Sequence, residues 1–504
     1  MKSPRRLHMN LVLLLMLVPT LFAAPKPSDE SITYWVNSVL WDDPRVSSSG
    51  ISVTTSEGIV TLTGTVRNLV QKQYAEREAT KIAGVTGVVN RLIVKPPPRS
   101  DIDIRQAIRR RFIASSLLSA EQIGASVESG VVVLSGTVAS YSEKEEASLL
   151  AGEATGVSGI DNDIMVVYKK QRPDKEIRED IRAKLDRDVY LAGLPVTVTV
   201  DRGSVLFTGT VGNAYERNRA TDDAYEVPNV SNVVNDLKIA WWEISGTRTG
   251  APTPSDSSLA ASVNNELEAD LRISEPWEVR VKAEGGHVTL QGTLPSLRQA
   301  ILARQDAMEV VGVAWVTNRI TVNGVWRNDL DLLEDALFSI HSDYALTGDD
   351  ITAEVNGGTI TIRGSVKTPF EKSQAYLDAA GVLGVQNVVN TIAVTGTEPI
   401  YSDQSLAAHV KERLAGNGET APVAGRITVV VNNGAAIISG RVDTWAQYGE
   451  AARVASLTVG VRKVDNRITV KGANYQWEKF AAAPPDVLSE PRLVDPWLVL
   501  RYNH

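Results

Sequence analysis

Cysteine is absent from the 504 residues of this chain, and histidine occurs only five times. The lack of cysteine excludes disulfide bonds, thiolate metal sites and a lipidated N-terminal cysteine. The five histidines are scattered, with no partner at metal-binding or catalytic spacing. The sequence also lacks the patterns of a calcium-binding loop, a serine nucleophile elbow and a phosphate-binding loop. We therefore expect no catalytic residue, no metal and no cofactor, and we predict that the protein is not an enzyme.

An excess of positive charge is missing as well. Lys and Arg together number 52 against 60 Asp and Glu, which gives a formal net charge of -8. A nucleic-acid-binding protein usually carries a basic surface. We therefore expect no nucleic-acid partner.

Long apolar runs are absent after the N-terminus. The first 24 residues read as a signal peptide, because the basic residues Lys2, Arg5 and Arg6 precede an apolar run over 11–22 and two alanines. An uncleaved anchor is the alternative, but this run is shorter than the roughly 20 residues that span a bilayer. We expect export to the periplasm.

The chain contains a repeated strand pattern that is flanked by two glycines. Residues 58–66 read Gly-Ile-Val-Thr-Leu-Thr-Gly-Thr-Val, with the alternation of a strand that has one buried face. Five more copies follow, and in each of them another glycine lies six residues before the second one. The second glycines of the six copies are Gly64, Gly136, Gly209, Gly292, Gly364 and Gly440.

The sequence after each second glycine keeps a fixed spacing. A helix-capping residue, a glutamine or glutamate three residues later and two alanines four residues apart predict a helix with a capping box and one small face. A closing strand then contains an asparagine in every copy. We expect these asparagines to bond local backbone rather than to form a ligand site. They are Asn90, Asn162, Asn235, Asn318, Asn390 and Asn466.

The element order in each repeat is α-β-β-α-β. It predicts an α+β protein of six tandem small units, each with a three-stranded sheet and two helices on one face. We place the units at 28–96, 101–169, 174–240, 257–323, 328–396 and 403–472. A linker occupies 241–256, and a C-terminal tail occupies 473–504.

The repeated frame, ending in V-x-N-x-[IL]-x-V, resembles the BON domain, a family named after bacterial osmotic-stress and nodulation proteins. Departures are slight, such as Phe207, Leu294 and Ala436 at positions that are otherwise aliphatic or valine. The resemblance implies a non-enzymatic envelope protein that is associated with phospholipid membranes or with protection during osmotic stress.

One helix of the second unit is basic enough to face an anionic membrane. Its candidate lipid-binding residues are Arg105, Arg109, Arg110 and Arg111, and clustered arginines near such a surface gain about 1 kcal/mol each. The alternative is an ordinary solvated helix face. Trp41 and the pair Trp241-Trp242 are candidates for an exposed interfacial role, whereas Trp35 has the spacing of a core residue.

Three functional hypotheses follow. The first is an envelope protein whose six units form a surface for phospholipid or for envelope proteins, with avidity from many weak contacts. The second is a periplasmic protective or chaperone-like protein of osmotic stress. The third is a structural scaffold that assembles by unit-to-unit packing.

Overall fold

The computed structural model describes residues 26–471 except 44, 47, 169, 241–253, 347, 368 and 396–400. The predicted signal segment, Trp241, Trp242 and the C-terminal tail lie outside the described residues.

Each unit begins with a helix and ends with a strand that returns to the sheet. The first helices span Asp29–Asp42, Asp101–Ala114, Asp174–Arg187, Asp256–Ala269, Asp329–Ser342 and Asp403–Gly416. Short 3-10 segments follow at Ser48–Gly50, Ala120–Gln122, Pro276–Glu278, Tyr344–Leu346 and Ala421–Arg426. The second helices span Leu69–Thr80, Tyr141–Gly152, Ala214–Glu226, Leu297–Glu309, Pro369–Gly381 and Trp445–Ser456.

Three strands form the sheet of each unit. The first hairpin strands are Ile51–Ser56, Ile123–Glu128, Val196–Asp201, Val279–Glu284, Asp350–Asn356 and Ile427–Asn432. The second hairpin strands are Ile59–Val66, Val131–Val138, Ser204–Val211, His287–Leu294, Thr359–Val366 and Ala435–Val442. The closing strands are Gly87–Val94, Gly159–Asn162 with Met165–Val166, Asn232–Ile239, Trp315–Val322, Asn387–Asn390 with Ala393–Val394, and Lys463–Val470.

The second hairpin strand lies at the centre of every sheet. It pairs antiparallel with the first strand and parallel with the closing strand, which the second helix connects as a crossover. The prediction of an α+β fold built from repeated three-stranded sheets is confirmed. In units 2 and 5 the closing strand is interrupted just after its asparagine.

Each unit has its own apolar core between sheet and helices. In unit 1, Val60 and Leu62 of the central strand are completely buried against Ala75 and Ala79 of the second helix. Two methyl side chains on one helix face let the helix axis lie close to the sheet.

The second glycine of each copy is required by a close backbone approach. Gly64 has a φ of 117°, and a Cβ atom there would lie 2.0 Å from the carbonyl oxygen of Gly50. No other residue type fits this position without moving the preceding chain. The same approach recurs in the other five copies, at 2.0 or 2.1 Å.

The second helices begin with the predicted caps, but the predicted box is only partly formed. The cap side chain accepts the backbone N–H three residues on at Asn68, Ser140, Asn213, Ser296 and Thr444. The reciprocal bond to the cap residue itself is formed by Gln447. Gln71 instead accepts from Arg67, one residue before the cap, because that N–H also lacks a helical partner. Thr368 lies outside the described residues.

The units pair across the molecule as 1 with 6, 2 with 5, and 3 with 4. In each pair, the chain leaving the second helix of one unit forms a short antiparallel bridge with the chain leaving the first helix of the other. The bridged residues are Ile82 with Asn417, Ser115 with Val382, and Asp188 with Val310.

Helices also contact one another across units in the described part of the chain. The second helices of units 1, 2 and 3 contact one another, and those of units 4 and 5 do so as well. The helical layers therefore face each other, and the opposite sheet faces point outward. In unit 1 that outward face carries the exposed residues Ile59, Val89 and Ile93.

Candidate functional site at the unit interfaces

The six repeat asparagines lie between the second helix and the closing strand of their own unit. Asn90 donates from Nδ2 to the carbonyl oxygen of Lys72 at 2.8 Å and accepts the N–H of Leu92 at 3.2 Å. The other five asparagines make the same two backbone bonds. They fasten a helix to a strand within each unit.

An aspartate at the first position of every first helix has a similar task, which the sequence analysis missed. Asp29 accepts the N–H groups of Glu57 and Gly58 at 2.8 and 2.9 Å, so it fastens the helix N-terminus to the hairpin turn. The signal was its recurrence at a nearly constant distance before the turn glycine. The six aspartates are Asp29, Asp101, Asp174, Asp256, Asp329 and Asp403.

The basic helix of unit 2 does not present four arginines to solvent. Arg105 and Arg109 are exposed. Arg110 pairs with Asp335 of unit 5 at 3.2 Å, and its guanidinium lies over the Phe338 ring at 4.3 Å. Arg110 therefore also takes part in the contact between units 2 and 5, with its side chain 41% exposed.

Arg111 is removed from the candidate lipid-binding group. It is 5% exposed, pairs with Glu153 at 2.8 Å and donates to Ser342 of unit 5 at 2.7 Å. The reason lies in helical spacing, since Arg111 continues the buried stripe of Ile104 and Ile108 toward the partner unit.

A buried cation occupies this same helix position in units 2, 3 and 6. The three residues are Arg111, Lys184 and Arg413. Each reaches the first helix of its paired unit: Lys184 pairs with Glu266, and Arg413 pairs with Asp42 at 3.3 Å. A cation within an otherwise apolar stripe was the sequence signal for this interface.

In the pair of units 1 and 6, buried carboxylates are matched by buried cations. Arg453 pairs with Glu450 at 2.6 Å and with Glu78 at 3.0 Å, and Arg45 pairs with Glu78 at 2.8 Å. Burial acts to raise the pKa of Glu78, but Arg453, Lys81 and Arg45 hold it well below its ordinary range. The pKa of Glu450 is lowered to about 2, against the effect of burial, by Arg453 and Lys81.

Lys81 is itself affected by this crowding. Burial and the neighbouring Arg453 lower the pKa of Lys81 to about 7. Its ammonium lies 4.6 Å from the ring centre of Tyr215 in unit 3, so the cluster also joins a third unit.

In the pair of units 3 and 4, one carboxyl is left without a hydrogen bond. Arg219 pairs with Asp188 at 2.7 Å and also with Glu309 of unit 4. Asp223 is fully buried, and neither of its oxygens accepts a hydrogen bond within the described residues. Burial and the negative charge of Asp188 raise the pKa of Asp223 to about 8.

The pair of units 2 and 5, with unit 4 at its rim, encloses a partly open cavity of about 80 Å³. Glu153 and Asp378 lie on its wall. Burial raises the pKa of Glu153 to about 7, although Arg111 opposes this. Burial and the negative charge of Asp343 raise the pKa of Asp378 well above its ordinary value.

These clusters lie between units and hold them together. Within the part of the chain that the structure describes, no group of three His, Asp or Glu side chains could hold a metal ion. No described helix is long and apolar enough to cross a bilayer.

Six αββαβ units that pack through their helices define a tandem-repeat α+β protein. The family model of the BON domain matches the chain six times, at residues 28–96, 100–168, 173–240, 255–324, 329–396 and 402–472. The chain therefore belongs to the BON domain family.

The chain is similar to one named protein in sequence and aligns with solved structures of another. The chain is 30% identical over 143 residues to the osmotically inducible protein Y of Escherichia coli (strain K12), which covers 27% of this chain and 71% of that protein. Two structures of CdsD, a structural protein of the type III secretion system of Chlamydia trachomatis, align at 16% and 17% identity with a TM-score of 0.12. They cover 42% and 44% of this chain, and 100% and 98% of those chains.

Proposed function

We propose that this protein is a non-enzymatic periplasmic protein of osmotic stress whose outer surface binds phospholipid membranes or envelope proteins. The observation that carries the proposal is that helices pack against helices of other units, so that these helix faces are buried inside the molecule. The outer sheet faces and strand edges are left for partners. The signal-like segment 1–24 supports export, and the relative induced by osmotic conditions supports the stress association.

The outer surface combines weak contacts of several kinds. Exposed apolar side chains such as Ile93, Met165 and Val167 stand among threonines and charged residues, and Arg105 and Arg109 add positive charge. Each contact alone is weak. Six units in one chain raise the effective concentration of the later contacts after the first has formed.

Vesicle flotation tests the membrane part of the proposal. The mature protein is expected to float with anionic vesicles and to float less at higher salt, because exposed charge is screened. The double variant Arg105→Glu and Arg109→Glu should reduce flotation. Arg202→Glu with Arg280→Glu makes the same charge change at exposed positions of units 3 and 4 and is the matched control. Equal flotation of both double variants would contradict a specific role of the basic helix in membrane binding.

A chaperone-like function is the second candidate, and the sheet edges favour it. Within the described residues, no strand pairs with the outer edge of the closing strand Gly87–Val94, whose Val89 and Ile93 are exposed. Such an edge can accept an extended peptide as a further strand. Ile93→Lys should weaken suppression of client aggregation, with Thr65→Lys on the central strand as control. Suppression by the protein without any flotation would favour this candidate over the first.

A further inference from the structure

The cavity between units 2 and 5 has a counterpart between units 1 and 6, built from residues at the same positions of the repeat. In the counterpart, Trp35 and Lys81 are among the lining residues, and the cavity measures about 20 Å³. Between units 2 and 5 the cavity measures about 80 Å³. The two sites thus lie at equivalent backbone positions and differ in the side chains that occupy the space between the units.

The carboxyl groups are retained at both sites. Asp43, Glu78 and Glu450 of the first site correspond to Asp343, Asp378 and Glu146 of the second. Asp378 and Glu146 lie on the cavity wall, and each residue is 9% exposed.

The cations that match these carboxyls at the first site are lost at the second. Arg45, Lys81 and Arg453 correspond to Ala345, Gly381 and Leu149. Gly381 and Leu149 lie on the cavity wall. Asp378 accepts a hydrogen bond from Gln374 at 3.2 Å, and its other oxygen accepts none within the described residues. Open space and carboxyl groups therefore coincide where the first site holds a lysine and an arginine.

We propose that the cavity between units 2 and 5 binds a small organic cation with an ammonium or guanidinium group, held by Asp378 and Glu146. The ligand supplies the charge and the hydrogen-bond donors that Lys81 and Arg453 supply between units 1 and 6. The volume holds on the order of five water molecules, which is the size of a ligand with a few heavy atoms. The Nε atom of the buried Arg111, on the same wall, has no hydrogen-bond partner, so it also leaves a donor for an acceptor group or water.

Two other carboxyls of the wall are already matched by arginines. Asp335 is paired with Arg110 and Arg327, and Glu153 is paired with Arg111. Arg298 of unit 4 lies at the rim. Its charge acts to lower the pKa of Glu153, yet that pKa remains raised to about 7.

Thermal unfolding and calorimetric titration of the mature full chain test the proposal. The probes are ethylammonium and methylguanidinium chloride at millimolar concentration. Sodium chloride and tetramethylammonium chloride, which lack N–H donors, are the controls at equal ionic strength. We expect a saturable rise of the melting temperature with the two probes only. Equal effects of all four salts would mean that the cavity holds solvent alone and would overturn the proposal.

A variant that restores the missing cation makes the test specific. A Cβ atom at Gly381 would meet nothing within 4 Å, so Gly381→Lys has room to place an ammonium as Lys81 does. It should weaken binding of the probes at least about tenfold, because a tethered ammonium has a high effective concentration. Gly381→Ala makes the same backbone change without charge and should bind as the natural protein does.

A variant that removes one carboxylate of the proposed site provides a second test. Asp378→Asn keeps the shape of the side chain and should abolish the saturable response, whereas Asp335→Asn, at a carboxyl already held by two arginines, should preserve most of it. Unchanged probe affinity in both Gly381→Lys and Asp378→Asn would contradict the assignment.

Discussion

At the scale of single residues, buried carboxyl groups make the stability of this protein depend on pH. Asp223 loses its proton near pH 3.8 in an unfolded chain and near pH 8 in the folded protein. The folded state therefore binds more protons between these values, so the free energy of unfolding falls as pH rises through this window. Glu153 acts in the same direction up to about pH 7. Lys81 acts in the opposite direction above pH 7, since its folded pKa is lowered.

Replacing Asp223 by asparagine should remove part of this dependence. Asp223→Asn should leave stability near pH 4 unchanged and raise it at pH 8.5 by on the order of 1–3 kcal/mol, because no proton has to be retained. Urea unfolding at the two pH values is the measurement. Asp201→Asn, at an exposed position of the same unit, should change neither value. A stability gain that is equal at both pH values would contradict the assignment.

Another residue-scale prediction concerns the repeat asparagines. Asn90→Ala should lower the free energy of unfolding by about 2 kcal/mol, because it removes one donor bond and one acceptor bond to half-buried backbone. Asn232→Ala, at an exposed position where the amide donates to Ser204 at 3.3 Å, is the control. Denaturant unfolding measures both. Equal losses would mean that the backbone bonds of Asn90 add nothing.

At the scale of elements, the sequence was sufficient to predict the helices, the strands and the sheet of each unit. Strand alternation, capping residues and the alanine pair predicted the element order and the sheet because these signals act between residues close in the chain. The burial of the cations was not predicted, because their partners lie far away in the sequence. Arg111 and Ser342, for example, are separated by 231 positions. In the sequence, Arg111 directly follows the arginines at 109 and 110, so it was grouped with them as a solvated cluster. Only the paired unit makes it a buried contact.

The first-helix cation of unit 6 gives an element-scale prediction. Arg413→Met should cost about 3–5 kcal/mol, because it leaves Asp42 buried beside fewer cations. Arg413→Met combined with Asp42→Asn should recover a large part of that loss, although His409 also contacts Asp42 at 2.5 Å. Denaturant unfolding of the single and double variants measures the coupling. Arg105→Met, on an exposed helix face, should be nearly neutral. Additive losses in the double variant would contradict a direct pair.

At the scale of the whole molecule, the six units share one fold but differ in the residues that they contribute to the interfaces between units. Units 2, 3 and 6 supply the buried cation of the first helix, and units 5, 4 and 1 receive it. The repeat frame could not reveal this division, because the pairing depends on positions that vary among copies. It also explains why the sheet faces, the strand edges and the solvent-facing sides of the first helices are left for partners in the proposed function.

The pairing of distant units is tested most directly by engineered disulfides, since the natural chain contains no cysteine. Ser115 and Val382 are opposite residues of the antiparallel bridge between units 2 and 5. Their Cα atoms should therefore lie about 4.5–5.5 Å apart, which is within the range of a disulfide. The pair Asn417→Cys and Val382→Cys places cysteines at equivalent positions of units 6 and 5, which are not bridged, and serves as the control.

Mild oxidation of the variants, followed by thiol titration and non-reducing electrophoresis, is the deciding measurement. Ser115→Cys with Val382→Cys should form an intramolecular disulfide nearly completely, and the control pair should keep its two thiols. Equal or lower disulfide yield for the Ser115 and Val382 pair would contradict the paired arrangement of the six units.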